Sequence, residues 1–190
     1  MKIFIPFLLA IFIITGCQKK EHEEHTKTQQ AKQESVQKPK PKPLRSTFTL
    51  RDTNSTIALK IKNNAIKIPN SKKVVALLFF TTWCPSCKAE IPELEAAAKK
   101  FKNMQIIGIL LDHTNDIDKF KKDEKIDFFV STNIKENQEL AKRLYPMVQA
   151  PATMPIPLTI IFVDGKYFVH YLGAAPYEMI VADMQRVEGE

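Results

Sequence analysis

Two cysteines three positions apart, Cys84 and Cys87 in "TTWCPSCKAEIPEL" (81–94), are the residues of this chain best suited to chemistry. Such a pair can clip a metal, staple a loop or exchange electrons as a dithiol. A staple draws most of its effect from the length of loop it closes, and two intervening residues constrain little. Structural zinc wants four ligands, and one pair supplies two. Redox exchange is the reading that remains: a thiolate attacks a disulfide and a second thiol resolves the mixed intermediate. Cys84 is expected to be exposed and to attack. Cys87, one helical turn further along, is expected to be buried and to resolve.

Such chemistry needs elements that ionise the first thiol, and the flanking residues predict them. "VVALLFF" (74–80) is a continuous apolar run, suited to a central strand covered on both faces. From Pro85 to Phe101 the pattern turns helical, with Ile91, Leu94, Ala97, Ala98 and Phe101 at three-to-four spacing. Pro92 is expected to kink this helix. The pair therefore falls where a strand hands over to a helix. Unsatisfied backbone N–H groups and the helix dipole stabilise a thiolate there, and Pro85 costs little because its missing N–H would have been unpaired. Lys88 adds a positive charge or is an ordinary solvent residue. Trp83 reads equally as a surface-capping aromatic and as a substrate-facing one.

A proline directly before a later strand, in "ATMPIPLTIIF" (151–162 contains it), offers the second half of a site. Facing the cysteines in cis, Pro157 would turn the Ile156 backbone toward a substrate, which could then pair with it like a short strand. The plain alternative is that Pro151, Pro155 and Pro157 stiffen a loop.

The remaining elements alternate. "STFTLRD" (46–52) and "TIALKIK" (56–62) predict a hairpin, which "AIKI" (65–68) extends. "MQIIGILL" (104–111) is a second buried strand; residues 115–125 read as a helix capped by Asn115, "IDFFVST" (126–132) as extended, and 135–144 as helix. "LTIIFVDGKYFVHYLG" (158–173) predicts a hairpin turning at Asp164-Gly165. Pro176 opens a last helix carrying Met179, Ile180, Val181 and Met184. Buried strands alternating with helices make an α/β sandwich around a mixed sheet.

The third cysteine sits in a different context. "MKIFIPFLLAIFIITGCQKK" has a charged start, an apolar run from Ile3 to Ile14 and small residues before Cys17. Residues 1–16 read as a secretory signal, and "IITGC" resembles the bacterial lipobox, whose cysteine takes a diacylglyceryl thioether. An uncleaved anchor helix is the alternative; both export the chain and tie it to a membrane. Residues 17–43, ending in "KPKPKP", hold almost nothing apolar and read as a disordered tether reaching roughly 30 Å as a coil. "HEEH" (22–25) is a solvated charge run rather than a metal site. Residues 44–190 suffice for one cored domain. Net charge is +7, but no zinc-finger spacing, aromatic-basic interleaving or Walker-type loop points to nucleic acid. The charge suits solubility and attraction to anionic lipid.

Taken together, "VVALLFFTTWCPSCKAEIPEL", "IIGILLD" and "PIPLTIIFVDGK" resemble the thioredoxin superfamily, and within it the membrane-tethered TlpA/ResA/CcmG branch of thiol–disulfide oxidoreductases. The likeness covers residues 46–190. The branch pattern W-C-x-x-C-x-x-E-x-P falls on Trp83, Cys84, Cys87, Glu90 and Pro92. The N-terminal hairpin and a central insertion (112–144) also fit. The resemblance implies a thioredoxin-like fold and no cofactor beyond the dithiol. It also implies reduction of disulfides in exported proteins, often apocytochromes c awaiting haem, with a membrane electron donor. Thioredoxin itself carries a buried acid in the strand before its motif; Leu78 stands there here. Any acid assisting Cys87 must then be Glu90, three residues on along the same helix face, unless that glutamate is simply solvated.

Two rivals remain open. An oxidase or isomerase differs from a reductase only in thiolate stability, which the Pro-Ser dipeptide does not decide. A copper chaperone on the same scaffold would suit soft thiolates, but the domain's histidines, His113 and His170, are not beside Pro157. A peroxidase pattern around either cysteine is lacking.

Overall fold

The computed structural model describes residues 44–114 and 116–189. The expected signal (1–16), Cys17, the tether (17–43) with its "HEEH", and Asn115 lie outside the described residues. Among the described residues eight strands run in the order β1 (Thr47–Arg51), β2 (Thr56–Lys62), β3 (Ala65–Lys67), β4 (Val74–Phe80), β5 (Met104–Leu110), β6 (Phe129–Ser131), β7 (Leu158–Val163) and β8 (Lys166–Leu172). The helices are α1 (Pro85–Lys100), α2 (Ile117–Asp123), α3 (Ile134–Leu144) and α4 (Tyr177–Glu188). All strands join one sheet in the spatial order β1-β2-β3-β8-β7-β4-β5-β6. It is mixed: β4–β5 and β5–β6 are parallel, while β4–β7 and β7–β8 are antiparallel.

β4 lies inside this sheet and is buried at every residue, as its unbroken apolar run predicts. Its even positions, Val74, Ala76, Leu78 and Phe80, join one core with α1 and α4. Its odd positions, Val75, Leu77 and Phe79, join a second core with α3 and the N-terminal hairpin. The sheet is thus covered on both faces. Burying this much apolar surface is the main favourable term in folding, at about 25 cal/mol per Å².

Turn chemistry sets the registers. β2 and β3 are joined by Asn63 and Asn64, both at positive φ (49° and 60°), and β7 and β8 by Asp164 and Gly165 (49° and 75°), the geometry of two-residue hairpins. At Gly165 a Cβ would meet the Ile66 carbonyl oxygen at 2.3 Å, so this turn also depends on close backbone approach. The hairpin β1–β2 curls over the second core until β1 meets β6. Thr132 N–H donates to the Arg51 carbonyl (2.7 Å), and Asp52 accepts from Val130 N–H (3.1 Å) and Lys121 Nζ (3.0 Å). Burial opposes ionisation of Asp52, but these donors outweigh it and hold its pKa below the usual range.

Several boundaries differ from the expectations. α2 is shorter than 115–125 and is capped by Asp116, whose Oδ1 accepts from Lys119 N–H at 2.7 Å. The extended stretch 126–132 contracts to a three-residue strand, because only Ile107–Ile109 of β5 pair with it. On α4 the buried residues are Ile180, Asp183, Met184 and Val187, whereas Met179 is 49% exposed: the helix faces the core along a stripe one residue away from it. α1 continues on both sides of Pro92, which is exposed and so places its missing N–H on the solvent side.

Candidate active site

The site forms where β4 ends. From Phe80 the chain passes through Thr81, Thr82 and Trp83 into Cys84, which caps α1 with extended φ and ψ (−81°, 112°). Asp112, just past the end of β5, holds this loop by accepting from Thr82 N–H (3.1 Å) and from the Thr82 hydroxyl (2.6 Å). The Cys84 sulfur accepts from Cys87 N–H at 3.2 Å and lies 3.2 Å from Ser86 Oγ. A backbone donor and the positive end of a helix therefore act on this one sulfur, and both favour its thiolate once the bridge opens.

Cys84 and Cys87 are joined as a disulfide, their Cα atoms 5.3 Å apart. Cys84 was expected to be exposed; it is 4% exposed, and Cys87 is fully buried. The capping geometry is the cause. It folds the Cys84 side chain back over the first turn, and the bridge to a buried partner holds it there. The small remaining access still belongs to Cys84.

Glu90 lies one turn beyond Cys87 and is fully buried, so it is not a solvated surface residue. Thr159, on β7, donates its hydroxyl to Glu90 Oε1 at 2.9 Å. The other oxygen, Oε2, is buried without a hydrogen-bond partner. Burial pushes the carboxyl up to about 7, although the Thr159 hydroxyl and the Ala175 N–H both favour the charged form. Leu78, the apolar residue where thioredoxin has its acid, is in register with Thr159. The acid of this site thus comes from the helix and its partner from the strand.

The Ile156–Pro157 peptide is cis. Pro157 accepts from Gly173 N–H at 2.9 Å, and Tyr145 donates to the Pro155 carbonyl at 3.1 Å, so the loop is tied down on both sides of Ile156. Ile156 itself is half-buried against the core that contains both cysteines. No backbone hydrogen bond to the described residues engages its own N–H or C=O.

The fold thus gathers Cys84, Cys87, Glu90 and Ile156 on one core, with Pro157 opening β7 beside them. Trp83 stands 68% exposed, its ring available to whatever approaches Cys84. Lys88 Nζ is paired with Glu124 at 3.3 Å and lies over the Phe120 ring. Among the described residues no three His, Cys, Asp or Glu side chains gather as a metal site. His113 is exposed, and His170 Nδ1 lies 2.8 Å from the Tyr167 hydroxyl. Two residues were missed from the sequence. Asp112 carried a weak signal, an acid directly after a buried strand; Thr159 carried none, being one threonine in an apolar run.

Comparison with known proteins agrees with this geometry. A search of curated proteins finds no match. Among solved structures, StoA from Bacillus subtilis is 20% identical with a TM-score of 0.54, covering 73% of this chain and 96% of that one. A thiol:disulfide interchange protein from Bacteroides sp. is 18% identical with a TM-score of 0.56, covering 77% and 89%. A thioredoxin family thiol:disulfide interchange protein from Chlorobium tepidum is 17% identical with a TM-score of 0.54, covering 75% and 96%. At these identities the likeness is one of fold, and the fold is thioredoxin-like. The AhpC/TSA family profile matches residues 45–171, two-thirds of the sequence, and the chain belongs to that family.

Proposed function

We propose that this protein is a membrane-tethered thiol–disulfide oxidoreductase that reduces disulfides of exported proteins outside the cytoplasm. The observation that carries this reading is a helix-capping C-x-x-C disulfide with a fully buried carboxyl one turn behind it. In the reduced protein, the Cys84 thiolate attacks a substrate disulfide. A new S–S bond forms as the substrate S–S bond breaks, and one substrate sulfur leaves as a thiolate that takes a proton from solvent. Cys87 passes its proton to Glu90 and attacks Cys84, releasing the second substrate thiolate, which is protonated in turn. The products are a substrate dithiol and the Cys84–Cys87 disulfide, two electrons having passed to the substrate.

During this exchange Ile156 offers its N–H and C=O to the substrate backbone and Trp83 covers the approach. Reduction in an oxidising compartment requires a membrane electron donor to restore the dithiol. Export and anchoring rest on the N-terminal pattern and Cys17. The resemblance to the tethered branch makes apocytochromes c a substrate class to test. Trapping is that test: a Cys87→Ser variant should accumulate disulfide-linked partners while Cys84→Ser should not. Equal trapping by both, or by neither, would overturn the roles assigned to the two thiols.

A further inference from the structure

Glu90 is an unusual group to find inside a core. It is fully buried, and so is Thr159, the one side chain among the described residues that hydrogen-bonds to it. A buried carboxyl with one oxygen unpaired incurs a desolvation cost, and a protein without a use for it could hold leucine there instead. Beyond the backbone N–H of Ala175, which also favours the charged form, the surroundings offer little else that is polar. Cys87 lies one turn back on α1, and Leu78 of β4 faces the same core. On β8, Tyr171 stands in register with Thr159, but its hydroxyl turns away to Asp183 of α4 at 2.5 Å, and Asp183 in turn pairs with Arg186. Tyr171 is itself held neutral, by burial first and by Asp183 second. Among the described residues no lysine, arginine or histidine forms an ion pair with Glu90.

We propose that Thr159 is a positioning residue: its hydroxyl fixes the Glu90 carboxyl and sets the pH range over which that carboxyl takes and returns the Cys87 proton. Two features support the assignment. The hydroxyl donates to Oε1, a bond that strengthens when the carboxyl ionises, so it opposes the effect of burial. It also leaves Oε2, the unpaired oxygen, as the atom free to exchange a proton. Thr159 sits two residues after cis Pro157 on β7, while Glu90 belongs to the helix that carries the thiols. The hydroxyl therefore links the substrate-pairing strand to the redox helix by a hydrogen bond within their shared core. A β-branched side chain with its rotamer restricted by strand packing holds that contact with little freedom to lose it.

The proposal rests on the redox reading above, and its test separates the two. The carboxyl of Glu90 is followed by carbon-13 chemical shift in the oxidised protein, with Glu90→Gln assigning the signal. Thr159→Val keeps the shape and removes the donor. It should raise the carboxyl midpoint from about 7 by roughly one unit, leaving it about fivefold less ionised at neutral pH. Thr159→Ser should restore the original midpoint. Thr159→Ala carries the same expectation as valine should that variant not fold. The second arm is the pH profile for reduction of a pyridyl disulfide: the carboxylate form must be present to take the Cys87 proton, so the rising, acid-side limb should move to higher pH with Thr159→Val and return with Thr159→Ser. An unchanged carboxyl midpoint in the valine or alanine variant overturns the role of Thr159. If the midpoint moves but Glu90→Gln leaves the wild-type rate profile intact, Thr159 tunes the carboxyl as stated and it is the redox role of Glu90 that fails.

Discussion

Replacing Glu90 by glutamine should change how folding depends on pH far more than it changes the fold. The carboxyl is buried and its pKa rises from 4.5 to about 7 on folding. Between those two values the folded protein holds a proton that the unfolded chain has released. Stability therefore falls as pH rises through this window and stays at the lower level above it. The shift is 7 − 4.5, or about 2.5 units, which at ~1.36 kcal/mol each amounts to ~3 kcal/mol. Glutamine keeps the shape and does not titrate, and its carbonyl can still accept from Thr159. Urea denaturation of the oxidised wild type and variant at about pH 4 and about pH 8 measures the effect, since every other titrating group cancels in the difference. Relative to wild type, the glutamine variant should gain up to ~3 kcal/mol on going from the acid to the alkaline condition. A difference constant to within ~0.5 kcal/mol would mean that Glu90 ionises normally, and the account of a buried proton carrier would be wrong.

Reduction of the Cys84–Cys87 bridge should cost only about 2 kcal/mol of stability, because it closes a loop of three bonds along the sequence; denaturation with and without a thiol reductant reads this, and collapse of the fold would make the bridge structural. Asn137→Ala should be worse, by roughly 2–4 kcal/mol. Asn137 is fully buried, donates to the Leu110 and Ser131 carbonyls (2.8 Å each) and accepts from the Ser131 hydroxyl (2.6 Å), so the variant orphans three groups at the junction of β5, β6 and α3. A loss below ~1 kcal/mol in thermal or urea unfolding would show that water replaces the side chain. Cys17→Ala should release the protein from membranes while leaving the redox chemistry of the domain intact. Mass spectrometry of the mature N-terminus is the direct check, and an intact Met1 beside unmodified Cys17 would refute lipid anchoring.

Much of the architecture is local in origin and was readable residue by residue. The unbroken run Val74–Phe80, the helical spacing from Pro85 and the Asp164-Gly165 turn each specify an element through the conformations their own side chains allow. The position of Pro157 before a strand likewise marked the cis peptide. Depth of burial is another matter. Periodicity shows which face of α1 carries Cys87 and Glu90, but a glutamate on that face looks the same whether water or a sheet lies opposite. Only the packing of α1 onto the sheet and against α4 removes water from Glu90, supplies Thr159 of β7 as its partner and raises its pKa. In the same way the cap geometry and the closed bridge, not residue type, hide Cys84. Local propensities chose the elements and the thiols; the proton chemistry around those thiols was decided by contacts 69 residues apart in sequence, because desolvation is a property of everything packed around a group and not of the group itself.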